Sequence, residues 1–174
     1  MKGAFALSKF KLVKSRDIST KAIAHIAMIA AIYAALTIAL APISYGPVQL
    51  RVAEALTVLP YYYPMAAPGL FLGCFLANIF GGYGWQDVVF GSLATLTAAL
   101  LSRRMPHPWL VPLPPVIVNA VIIGTLLHVV TGLPLTLLML DVGLGQLASC
   151  YGLGLPLLYA IKKYKSKTNN TDHN

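Results

Sequence analysis

Long uncharged runs narrow the choice of fold more than anything else in this chain. Residues 22–41 read AIAHIAMIAAIYAALTIALA, twenty positions with no acid, lysine or arginine, and several further apolar windows of comparable length follow. About 20 such residues are what a helix needs to cross roughly 30 Å of hydrocarbon. Only 10% of the residues are charged, against about 25% in soluble domains, too few to cover a globule with polar surface. Hydrocarbon offers irregular backbone no partners, so helices are the default. The sequence predicts an all-α membrane protein with no room for a sizeable soluble domain.

The few charges are placed systematically. A net charge of +8 raises the question of nucleic acid. However, Lys2, Lys9, Lys11, Lys14, Arg16 and Lys21 precede the first apolar run, and Lys162, Lys163, Lys165 and Lys167 follow the last. Such flanks are what topology signals and phospholipid contact require, and no nucleic acid partner is expected. The ALAP at 39–42 resembles a leader cleavage site. The apolar run before it is too long for a leader, so the segment is read as a retained span.

Clear helices are expected at about 22–41, 86–102, 110–131 and 134–160. Between them, Pro60, Pro64 and Pro68 interrupt residues 51–80, and each proline removes a backbone hydrogen bond and clashes with the preceding turn. Two short helices, 51–63 and 65–80, joined by a tight turn, fit better than one. Parity agrees. With six spans and an N-terminus in the cytoplasm, Arg103, Arg104 and the C-terminal lysines all fall inside, as the positive-inside bias favours. The expected organisation is a basic cytoplasmic segment over 1–20, one six-helix transmembrane domain over 21–161, and a basic disordered cytoplasmic tail over 162–174.

That topology leaves one cation, Arg51, on the outer side with three of the five acids, Glu54, Asp87 and Asp141. Ionisable groups within spans are costly and usually line a cavity or pathway. Three acids against one arginine suit a cationic or hydrogen-bond-donating ligand. Arg51 and Glu54, three apart at a helix start, are also close enough to pair with each other. Asn119 and Gln146 lie twelve residues either side of the TGLP turn, roughly 18 Å below it at 1.5 Å per residue. Amides at matching depth can read the edge of a heterocycle or bond helix to helix. In the loop NIFGGYGWQD (78–87), Tyr83 and Trp85 can stack on a planar ligand or anchor at the membrane interface. Ala27, Ala31 and Ala35, every fourth residue of the first helix, permit close helix approach, with Ala30 and Ala34 widening that face. His25 reads as an interfacial or packed histidine. Cys74 and Cys150 read as small core residues.

No metal site is expected, and no catalytic one: the chain has no CxxC, GxSxG or Walker pattern and no paired acids on one helical face. Any ATP would be used by partner subunits, with no cofactor in this chain.

Four separated segments carry a resemblance: APISYGPVQLRVAEALTVLP (41–60), FGSLATL (90–96), PLPPVIVNA (112–120) and SCYGLGLPLL (149–158). They resemble the QueT type of queuosine-precursor transporter, a membrane-embedded substrate-binding (S) component of energy-coupling factor (ECF) transporters. The resemblance implies a six-helix bundle with a pocket near the outer face. It implies partners as well, a transmembrane coupling subunit and two ABC-type ATPases, with Ala27, Ala31 and Ala35 meeting the coupling subunit. The implied substrate is a 7-deazaguanine such as preQ1 or preQ0, held by Arg51, Glu54, Tyr83, Trp85, Asp87, Asn119, Asp141 and Gln146. One position departs from the family pattern, which places glutamate where this chain has Gln146. The expected function is substrate capture for an ATP-driven importer at the cell membrane. An S component for another vitamin or nucleobase, a self-sufficient facilitator and an intramembrane enzyme are the alternatives.

Overall fold

A computed structural model describes residues 19–46, 49–81 and 84–171, with side chains described as far as residue 168. Residues 1–18, Tyr83 and Asp172 lie outside the described residues, and with them most of the basic N-terminal segment. The regular structure of the described residues is all helical, with no strand among them. In order they form α1 (Thr20–Ala39), the single turn α2 (Ala41–Ser44), a 3-10 helix Val52–Tyr61, and α3 (Ala66–Phe80). A π-helical turn Asp87–Gly91 then leads into α4 (Ser92–Ser102). After the turn Pro108–Leu110 comes α5 (Leu113–Thr131). The last stretch is continuous, α6 (Leu135–Leu147), a π-helical segment Ala148–Gly154 and α7 (Leu155–Thr171).

Three of these helices, Thr20–Ala39, Pro108–Thr131 and Leu135–Thr168, are long and apolar enough to cross a membrane. Val52–Tyr61, Ala66–Phe80 and Asp87–Ser102 are apolar but shorter. The prolines account for the shortness of the first two. Pro60 sits inside the 3-10 helix, Pro64 falls in the turn, and Pro68 takes the third position of α3, where its missing N–H has no helical partner to lose. The expected break between two short helices is present, but the first of them is 3-10 rather than α. At roughly 2.0 Å per residue, ten residues stretch about 20 Å instead of the 15 Å of an α-helix. The loop expected over 78–87 is also shorter than the sequence suggested, because Asn78, Ile79 and Phe80 still belong to α3.

Small residues set the packing. A Cβ on Gly73 would stand 2.7 Å from Tyr33 Cβ and 2.8 Å from the Ala30 carbonyl oxygen, so only glycine lets α3 lie this close to α1. Tyr33, Ala53, Ala67, Leu70, Cys74, Ala77 and Ala99 form the core of that half. Ala94, Ile123, Leu127, Leu138 and Val142 form a second cluster, and Val58, Val111 and Leu158 a third. Ala30 and Ala34 turn into this packing, buried and half-buried, whereas Ala27, Ala31 and Ala35 are exposed. The alanines of α1 therefore divide between two faces rather than sharing one.

Candidate functional site

The site is built on the stretches where the helices depart from α geometry. In the 3-10 helix residues three apart eclipse one another, so Glu54, Thr57 and Pro60 stack in one row, and all three are buried, as is Arg51 just before the helix. Asp87 opens one π-helical turn, and Ser149 and Cys150 lie in the other. Long 3-10 runs and π turns are uncommon, and both recur at functional sites.

Glu54 is the centre. Its side chain is 1% exposed. Tyr33 Oη on α1 donates to Oε1 at 2.5 Å. The Thr95 hydroxyl on α4 stands 3.1 Å from the same oxygen and 3.3 Å from Cys74 Sγ, and the carboxylate is the stronger acceptor. The backbone around it is held too, since Thr57 Oγ1 donates to the Glu54 carbonyl at 2.6 Å. Cys150 Sγ lies 3.5 Å from that carbonyl and 3.4 Å from Gln146 Oε1, which ties the long last helix to the 3-10 row.

Arg51 makes its ion pair with Asp87 rather than with Glu54. Its Nη2 is 3.8 Å from Asp87 Oδ2, with both side chains buried, while Nη1 reaches Cys74 Sγ at 3.7 Å. The guanidinium also sits 5.3 Å above the ring of Tyr45, whose hydroxyl donates to the Ala77 carbonyl at 2.8 Å. Asn78 Nδ2 donates to the Asp87 carbonyl at 2.9 Å. Gly91 is what makes room for that pair: a Cβ there would stand 2.6 Å from Asn78 Nδ2 and 2.7 Å from Asp87 Oδ1.

Several buried polar atoms in this region have no hydrogen-bond partner: Glu54 Oε2, Asn78 Oδ1, Asp87 Oδ2, Asn119 Nδ2 and Ser149 Oγ. Buried polar groups are nearly always satisfied, and leaving one unmade costs roughly 1–3 kcal/mol. The interior thus offers acceptors and donors that a polar molecule can complete.

Of the residues the sequence singled out, Arg51, Glu54 and Asp87 are brought into one network, and Gln146 joins it through Cys150. Asn119 is buried on α5. Asp141 is half-buried on α6, and Trp85 is 67% exposed just before Asp87; neither side chain has a hydrogen bond or ion pair to another described residue. Tyr83 lies outside the described residues. Tyr33, Thr95 and Asn78 were not singled out by the sequence, since a tyrosine or threonine amid alanine and leucine looks like ordinary core, and the two thiols, expected as small core residues, are buried against this network. Among the described residues no group of three or more His, Cys, Asp or Glu is arranged to hold a metal.

Apolar helices wrapped around a charged, incompletely satisfied interior define a membrane protein whose chemistry lies inside the bundle rather than on its surface. The chain belongs to the QueT transporter family, whose profile matches residues 23–163. The family is one of transporters rather than of enzymes. It is 39% identical over 88 residues to the queuosine precursor transporter QueT of Lactococcus lactis subsp. cremoris (strain MG1363), a match covering 49% of this chain and 48% of that relative. The aligned part of the chain thus spans about half the length of the curated relative. No solved structure matches the chain.

Proposed function

We propose that this protein captures a queuosine precursor, a 7-deazaguanine such as preQ1 or preQ0, as the S component of an ECF importer. In this reading it crosses the cell membrane six times with both termini in the cytoplasm. It takes the ligand from outside and releases it inside. The energy is ATP hydrolysed by two ABC-type subunits, transmitted through a transmembrane coupling subunit. The observation that carries the reading is the buried Glu54 cluster with its unsatisfied acceptors and donors, inside a member of a transporter family. The name of the Lactococcus relative supplies the ligand class. Asn119 and Gln146 offer amides to the heterocycle edge, and Trp85 with Tyr83 offers rings to its face. Asp141 adds negative charge. Arg51, ion-paired with Asp87 and stacked on Tyr45, links the segment before the 3-10 helix to the start of the fourth span.

The exposed Ala27, Ala31 and Ala35 form the face offered to the coupling subunit, since small side chains let helix backbones approach closely in lipid. Binding of preQ1 and preQ0 to the purified protein, with thiamine and riboflavin as competitors, tests the assignment. Saturable binding of a 7-deazaguanine alone supports it. Binding of a competitor in its place refutes it.

A further inference from the structure

The charge buried around Glu54 does not balance, and the imbalance bears on which precursor the site takes. Among the described residues, Arg51, Glu54 and Asp87 are the buried charged side chains, two carboxylates against one guanidinium. Arg51 lies within ion-pair reach of Asp87 and of no other described carboxylate. Every other described lysine or arginine is exposed. Glu54 is held by neutral donors alone, Tyr33 and Thr95, and both go to Oε1. Two donors occupy the two lone pairs of that oxygen. Oε2 is left buried and unpartnered.

A carboxylate so arranged presents one open oxygen. Gripping the paired N–H donors of a guanine-like edge two-on-two needs both oxygens, as in bidentate guanidinium pairs, and Oε1 is already engaged. One open oxygen suits one donor. A carboxylate in a low-dielectric interior is strongly disfavoured unless an opposite charge pairs with it, and a cationic ligand supplies that charge. The edge of the base is then left to neutral amides, of which Asn119 has its Nδ2 buried and free.

We propose that Glu54 Oε2 pairs with a protonated amine on the ligand and that Tyr33 and Thr95 are the positioning residues that aim it. The site therefore selects an aminomethyl-7-deazaguanine, a cation at neutral pH, over the neutral nitrile analogue. This rests on the 7-deazaguanine reading above and narrows it to preQ1-type ligands.

Equilibrium titration of the purified full chain with preQ1 and preQ0 is the test, on wild type, Glu54→Gln, Tyr33→Phe and the double variant. Wild type is expected to favour the amine by about tenfold or more, equivalent to about 1.4 kcal/mol. Glu54→Gln abolishes that preference, weakening preQ1 by about tenfold more than it weakens preQ0, about 1.4 kcal/mol. Tyr33→Phe narrows the preference in wild type and leaves it unchanged once Glu54 is Gln, which a purely structural tyrosine would not do. Equal binding of the two ligands by wild type overturns the inference without touching the 7-deazaguanine reading. So does a preference that survives Glu54→Gln. Binding of neither ligand overturns both. The wild-type ratio decides even where a variant fails to fold.

Discussion

Arg51 and Asp87 lie where water no longer stabilises either charge, and at 3.8 Å each depends on the other. Removing one partner of a buried pair costs about 3–5 kcal/mol, because the survivor stays charged and unpaired, while replacing both is far milder. Arg51→Met is accordingly expected to lower the thermal midpoint of the detergent-solubilised protein sharply, and adding Asp87→Asn should restore much of the loss. If the double variant melts no higher than the single one, the pair does not hold the site together. Gln146 is tested differently. Gln146→Glu places an acid beside Cys150, and a change of at least about tenfold in preQ1 affinity, about 1.4 kcal/mol, is expected if position 146 reads the base. Indifference would remove it from the site. At this scale the sequence was legible where it was chemically conspicuous. Arg51, Glu54 and Asp87 stood out as charges in apolar surroundings. Tyr33 and Thr95, which actually touch the Glu54 carboxylate, did not, because their hydroxyls carry no charge and their spacing matches a packed helix face.

Among the elements, the departures from regular helix matter most. The 3-10 run Val52–Tyr61 and the turns Asp87–Gly91 and Ala148–Gly154 hold Glu54, Asp87 and Cys150. The prolines announced that residues 51–80 would break, and they did so where expected. Nothing in side-chain type separates a 3-10 row from a short α-helix, since both place i and i+3 together, so the pairing of Arg51 with Glu54 looked as natural in sequence as the pairing with Asp87 found in the fold. Gly91 gives this scale a direct probe. Gly91→Ala forces a Cβ against Asn78 and Asp87, and overpacking of this kind typically costs about 1–3 kcal/mol. A lower melting temperature together with weakened ligand binding is expected. A variant indistinguishable from wild type in both would mean that the Asn78–Asp87 contact is not needed. For α1, Ala31→Trp enlarges an exposed position. Recovery of ATPase subunits with the tagged protein should be lost while preQ1 binding persists, and retained recovery would place the coupling face elsewhere.

For the whole molecule, composition alone made the membrane and the helices legible, and the arrangement of charges supplied the proposed topology. The three longest apolar helices have the length to span, while the three shorter ones gain their place in the six-pass proposal from the parity of Arg103, Arg104 and the terminal lysines. Reporter fusions check that proposal. A folding-dependent fluorescent reporter should light up at either terminus, and a phosphatase active only outside the cytoplasm should stay silent at both. Activity of the phosphatase at one end would rule out an even number of spans. The central claim is that the polar interior around Glu54 is where the ligand sits, and a structure of the protein saturated with preQ1 tests it most directly. The ligand is expected inside the bundle, with its amine within hydrogen-bond distance of Glu54 Oε2. A ligand bound away from this cluster, with Glu54 still held only by Tyr33 and Thr95, would contradict it.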